Sequence, residues 1–194
     1  HRLPELPGAA FEPVGSTDSE IIFCRLMSLL AASGTRTLGE LDPVVFGRWL
    51  ADLNAQGSLT LAVTDGRDLF LYADASGKGE LHLWSLAPPY ERVQFGDADV
   101  QIDLTSHSVK HRKGVIASSA PLESTSDVAA TWTRVTPGHL VVVREGAVLA
   151  EYTPEGALVE ASPAPLRTPP RAETKRLEVC HRTVYRYANP VEKS

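Results

Sequence analysis

At Ser58 the hydrophobic period of the chain changes, and no other feature restricts its fold as tightly. Before that point apolar residues recur at helical spacing. Ile22, Leu26, Leu29 and Leu30, with Phe23 and Met27 alongside, predict a helix from Asp18 to Ala32 with one wide buried face. Its start is marked by "TDSE", in which Thr17 and Glu20 have capping-box spacing. The Thr17 hydroxyl accepts from a first-turn amide, and Glu20 reaches back to the cap's own N–H. Asp42 as cap, Pro43 in the first turn, the spacing of Phe46, Trp49, Leu50 and Leu53, and Gly57 as terminator predict a second helix. After Ser58 the period is two. Leu59, Leu61 and Val63 alternate with polar or small residues before the Asp65-Gly66 turn. "DLFLYAD" then returns with Leu69 and Leu71 on one side and Phe70 and Tyr72 on the other. "LHLWSL" is expected as a third strand, a short strand near "VQIDL", and another at "GVIASSAPL". "TWTRV", "HLVVVR" and "AVLAEY" are expected to close an antiparallel meander. Two helices followed by hairpins imply an α+β layered domain.

A chain of 194 residues, 43% apolar and 22% charged, can build one globular core but hardly two. The net charge of −5 lacks the basic surface that nucleic acid or an anionic membrane requires, so neither is an expected partner. The apolar runs are too short to span a bilayer, and the first residues lack a basic stretch followed by an apolar one. A cytoplasmic location is the expectation. Cys24 and Cys180 stand far apart with no CxxC spacing, which supports neither a disulfide framework nor a zinc cluster. Residues 1–159 read as the domain. Residues 160–174, with Pro163, Pro165, Pro169 and Pro170, read as an extended linker. Residues 175–194 read as the opening of a further β-rich region, too short to be a domain itself.

Among residues that carry chemistry, Asp18 stands out, and two roles are open to it. An acidic residue in the first turn of a helix is favoured by the macrodipole without any further function, yet the same position suits the binding of a cationic group. His107 and His111 have zinc-like spacing without a completing HExxH pattern. Asp97, Asp99 and Asp103 lack the glycine and terminal glutamate of a calcium loop. His82 and His139 fall within strands and read as structural. Lys110, His111, Arg112 and Lys113 read as a solvated basic run. No metal and no cofactor is expected. The chain holds no phosphate-binding glycine loop and no nucleophile elbow.

"GSTDSE" opening an apolar helix, followed in order by "LAVTDGRDLFLYAD", "HRKGVIASSAPLE" and "TWTRVTPGHLVVVREG", resembles the C-terminal part of a class II glutamine amidotransferase domain over Phe11 to Tyr152. The resemblance implies an N-terminal-nucleophile hydrolase fold, a four-layer αββα sandwich of antiparallel sheets, here incomplete at its N-terminus. It implies L-glutamine as substrate, attacked by an N-terminal cysteine whose own α-amino group is the base, with release of ammonia and hydrolysis of the thioester. The family's aspartate in T-D-[ST]-E binds the α-amino group of glutamine, and Asp18 matches it. The nucleophile, the carboxylate-binding arginine and the Asn-Gly oxyanion pair have no match between His1 and Val14, so no catalytic residue is assigned in this chain. The cysteine is expected upstream of His1, in the same chain or supplied by another. The alternative is a non-catalytic scaffold or interaction domain.

The tail "LEVCHRTVYRYANPVEKS" is similar to the opening strands of bacterial transglutaminase-like proteins through His181, Thr183, Tyr185 and Tyr187. That similarity implies a fusion of the two kinds of domain, joined by the proline-rich linker.

Overall fold

Helix α1 (Asp18–Ser33) and helix α2 (Pro43–Asn54) form where the apolar spacing places them. The computed structural model describes residues 10–88, 94–96, 101–103, 113–124 and 131–159, all within one compact unit, His1–Ala161. The linker at 160–174 and the tail at 175–194 lie outside the described residues. Helix α1 ends at Gly34 in the left-handed conformation, whose amide returns to the Ala31 carbonyl. Asp42 caps α2 by accepting from the Val44 amide at 2.9 Å, with Pro43 in the first turn. That helix stops at Asn54, three residues before the expected Gly57. A single 3-10 turn, Leu38–Glu40, joins the two.

The strands are β1 (Leu61–Thr64), β2 (Asp68–Tyr72), β3 (His82–Leu86), β4 (Gln94–Gly96), β5 (Gln101–Asp103), β6 (Gly114–Ser118), β7 (Glu123–Ser124), β8 (Thr133–Arg134), β9 (Leu140–Arg144), β10 (Ala147–Tyr152) and β11 (Leu158–Val159). Among the described residues they form three antiparallel sheets, ordered β1-β2-β9-β10-β11, β6-β3-β8 and β5-β4-β7.

Strand β9 is the centre of the largest sheet because its run "LVVV" is apolar on both faces, the signature of a strand covered on both sides. Leu140 and Val142 join Phe70 and Tyr72 of β2 against the helices, where Leu26, Phe46 and Leu50 complete the core. Phe46 meets Phe70 edge to face with ring centres 5.3 Å apart. Val141 and Val143 join Leu69 and Leu71 on the opposite face, packed on Leu83 of β3 and Val115 of β6. The described layers are thus helices, a five-stranded sheet and a three-stranded sheet, a mixed α and β arrangement with antiparallel sheets.

Two sequence expectations about strand order fail. "LHLWSL" does not extend the β1–β2 hairpin; as β3 it pairs with β6 and β8 in the second sheet. "TWTRV" likewise leaves the meander, since β8 pairs with β3 while β9 inserts beside β2. The physical reason lies in the link from Ala73 to Leu81. It is anchored by a buried carboxylate that turns the chain out of one sheet and into the other.

Candidate functional site

The site begins at the start of α1. Thr17 is extended, at φ −79° and ψ 142°, and its hydroxyl accepts from the Glu20 amide at 3.4 Å. Glu20 does reach back, but further than a capping box requires: its carboxylate accepts from the Val14 amide at 2.7 Å and the Gly15 amide at 2.9 Å, not from Thr17. Gly15 has no room for a side chain, because a Cβ there would run into Glu20 Oε2. Thr17 alone is therefore the cap, while Glu20 ties down the residues before the helix, and its expected return to the Thr17 amide is not made. Asp18 is exposed in the first turn, and no described side chain or amide hydrogen-bonds its carboxylate.

Upstream, the chain doubles back along the helix, with the Phe11 amide donating to Ser28 Oγ at 3.1 Å. Ser28 in turn donates to the Cys24 carbonyl at 2.8 Å. Cys24 is thus a half-buried, mid-helix free thiol, while Cys180 lies outside the described residues. Two turns after Asp18, on nearly the same helical face, Arg25 keeps Nη1 buried without a hydrogen-bond partner.

Sequence reading missed two polar frameworks. Asp74 is fully buried and accepts from Asn54 Nδ2 at 2.7 Å, Ser58 Oγ at 2.9 Å, Ser76 Oγ at 2.5 Å and the amides of Leu59, Lys78 and Gly79. Burial pushes its pKa up, but the bonds from Ser76, Asn54, Ser58 and Leu59 outweigh that and hold it far below the ordinary carboxylate range. Asn54 Oδ1 accepts from the Tyr72 hydroxyl at 3.1 Å and the Ala75 amide at 2.7 Å, joining the end of α2 to the same loop. The signal was present in "DASGKG", an acceptor followed by a hydroxyl and flexible amides, the composition of an Asx-type turn.

The second framework holds Arg144 against Asp68, which is 1% exposed, through two parallel bonds: Nε to Oδ1, and Nη2 to Oδ2 at 2.8 Å. The Arg144 guanidinium lowers the Asp68 pKa against the opposing effect of burial. Asp65 accepts from the amides of Asp68, Arg67 and Leu38, and these bonds lower its pKa as well.

The remaining candidates are dispersed. His82 Nε2 meets Glu80 at 2.9 Å, with Arg134 on the other carboxylate oxygen at 3.0 Å; the His82 bond and the Arg134 charge lower the Glu80 pKa. His139 Nδ1 meets Glu151 at 2.6 Å. Asp103 accepts from Gln94 Nε2 at 2.7 Å. His107, His111, Asp97, Asp99, Lys110 and Arg112 lie outside the described residues. Among the described residues no group of three His, Cys, Asp or Glu could hold a metal ion, and no helix is long and apolar enough to cross a membrane.

A sequence profile of the class II glutamine amidotransferases matches residues 2–165. An uncharacterized protein of Methanocaldococcus jannaschii is 32% identical over 146 residues, 75% of this chain and 39% of that protein. YafJ of Escherichia coli, whose name provisionally assigns it as a glutamine amidotransferase, is 31% identical over 131 residues, 66% of this chain and 48% of YafJ. The chain therefore spans about half or less of the length of these curated relatives. The crystal structure of a predicted glutamine amidotransferase from Pseudomonas aeruginosa matches with a TM-score of 0.64 at 24% identity, over 77% of this chain and 56% of that one, a likeness of fold.

Proposed function

Since the chain belongs to the class II glutamine amidotransferase family, we propose that it forms the substrate-binding wall of a glutamine-hydrolysing site, in which Asp18 takes the α-ammonium group of L-glutamine. The observation that carries this reading is the division of labour at the start of α1. Thr17 caps the helix and Glu20 holds the residues that precede it, which leaves the Asp18 carboxylate exposed and uncommitted. An ammonium ion brought to a helix N-terminus meets the unfavourable end of the dipole, and a carboxylate there reverses that field. The three layers described accord with the four-layer plan of N-terminal-nucleophile hydrolases.

The reaction we assign is attack of a cysteine thiol on the side-chain amide carbon of glutamine, loss of ammonia, and hydrolysis of the resulting thioester to glutamate. Its base is the α-amino group of an N-terminal cysteine. Cys24 does not suit the role, because it sits inside a helix with its backbone in amide linkage and its carbonyl engaged by Ser28. We assign the nucleophile to neither Cys24 nor any other residue of this sequence, and leave the transglutaminase-like tail as a proposed fusion.

The test is glutaminase kinetics on the longest natural form of the protein. Replacing Asp18 by Asn removes one charge-assisted bond, and such a bond is worth about 1.5–3 kcal/mol, so KM rises roughly 10- to 150-fold at an unchanged Tm. An unchanged KM in an active enzyme would reduce Asp18 to an ornament of the helix start. Absence of any cysteine nucleophile together with no glutamine hydrolysis would favour the scaffold reading.

A further inference from the structure

A second feature of the fold, with no part in glutamine hydrolysis as proposed, is a cleft of about 610 Å³ at the tip of the β9–β10 hairpin, lined by Lys113, Arg144, Glu145, Ala147 and Leu149. That volume lies within the range of small-molecule sites, about 300–1,000 Å³. The cleft shares no residue with the start of α1. Its arginine packs by way of Asp68 on Gly39, in the 3-10 turn that follows the opposite end of that helix.

We propose that this cleft is a binding site for an α-amino acid in its zwitterionic form. Arg144 is fixed before any ligand arrives, because Nε and Nη2 are committed to the buried Asp68, which leaves the Nη1 edge of the guanidinium for another acceptor. Lys113 supplies a second cation and Glu145 an anion, and among the described residues neither forms an ion pair. Ala147 and Leu149 supply an apolar wall. Leu149 is the extra residue of a bulge between Val148 and Ala150, which leaves its side chain about half exposed.

The charges decide the ligand class. A simple anion drawn to Arg144 and Lys113 would also meet Glu145 and the carboxylates behind Arg144. A simple cation drawn to Glu145 would meet Lys113 and Arg144. A molecule that carries a carboxylate and an ammonium two bonds apart, with a side chain beside them, satisfies both signs and the apolar wall. Glu145 and Gly146 both have positive φ, 50° and 72°, and a Cβ at Gly146 would strike the Lys113 carbonyl, so the hairpin tip lies close against the Lys113 backbone.

The test is a titration of the ¹⁵N-labelled full chain with each of the twenty α-amino acids, followed by amide shifts, with N-acetylated and methyl-esterified forms of the best binder as controls. The expected result is shifts concentrated at Lys113 and Arg144 to Leu149. Each capped form should weaken binding by about fivefold or more, as should Lys113→Met and Glu145→Gln, in line with the loss of one ionic contact. Both side chains are exposed, so the variants should keep the circular dichroism of the parent. Asp18→Asn should leave this binding unchanged, which separates the outcome from the fate of the glutamine reading. Shifts confined to Gly15–Glu20, capped forms that bind as well as the free amino acid, or no shifts at millimolar concentration would each overturn the proposal.

Discussion

Thr17 and Asp18 are neighbours with different obligations, and substitution separates them. Thr17 accepts from the Glu20 amide, so Thr17→Ala should cost about 1 kcal/mol in urea unfolding, the usual value of an N-cap hydroxyl. Asp18→Ala removes only a favourable dipole contact and should cost about 0.5 kcal/mol or less. If Asp18→Ala proved the more destabilising of the two, Asp18 would be the cap and the case for a free carboxylate would collapse. Thr17 as the N-cap was legible in the sequence, because the spacing of an N-cap is local. The destination of the Glu20 carboxylate was not, since it depends on how Pro13 to Gly15 turn back over the helix. Gly15 makes that turn possible by leaving space for the glutamate, and such space has no signature in a single sequence.

At the scale of elements, both helices and most strands follow from periodicity, but strand order does not. Adjacent strands in sequence were read as adjacent in space, which holds for β1 with β2 and for β9 with β10. It fails for β3 and β8, whose partners lie in the second sheet. The unbroken apolar run in β9 was the available clue, because a meander strand with one wet face would alternate. The β9–β10 turn gives a direct test of local conformation. Glu145 is the single described non-glycine residue at positive φ, and it occupies the first central position of a turn that asks for positive φ at both. Asparagine adopts that conformation at lower cost, so Glu145→Asn should stabilise the protein by about 0.5–1 kcal/mol. A lower Tm for that variant would show that the Glu145 carboxylate contributes more to the fold than its backbone conformation costs.

Across the whole molecule, three carboxylates bound into the fold, Asp74, Asp68 and Asp65, lead the acid response among the described residues, with the solvated Glu80 and Glu155 adding to it. Asp74 ties the end of α2 to the link between the two sheets, Asp65 ties the 3-10 turn to the β1–β2 hairpin, and Asp68 ties β2 to β9 through Arg144. All three have pKa values lowered in the fold. A lowered folded-state pKa means that the unfolded chain binds more protons in acid, so stability rises with pH in that range. The contribution is fully present above the unfolded value near 4 and is lost as pH falls from there toward the folded values. Unfolding followed from pH 7 to pH 2 should therefore show stability declining once pH drops below about 5, by up to roughly 1.4 kcal/mol per pH unit for each proton involved. Asp74→Asn should lower stability at pH 7 by about 3 kcal/mol or more, because an amide NH₂ would face buried donors that now meet an acceptor. It should also flatten the acid decline, having removed one of the protons that drives it. Ser58→Ala, which removes one donor and keeps the charge, should cost about 1 kcal/mol and steepen nothing. An Asp74→Asn protein whose acid decline ran parallel to that of the parent would show that the buried carboxylate is no part of the acid response.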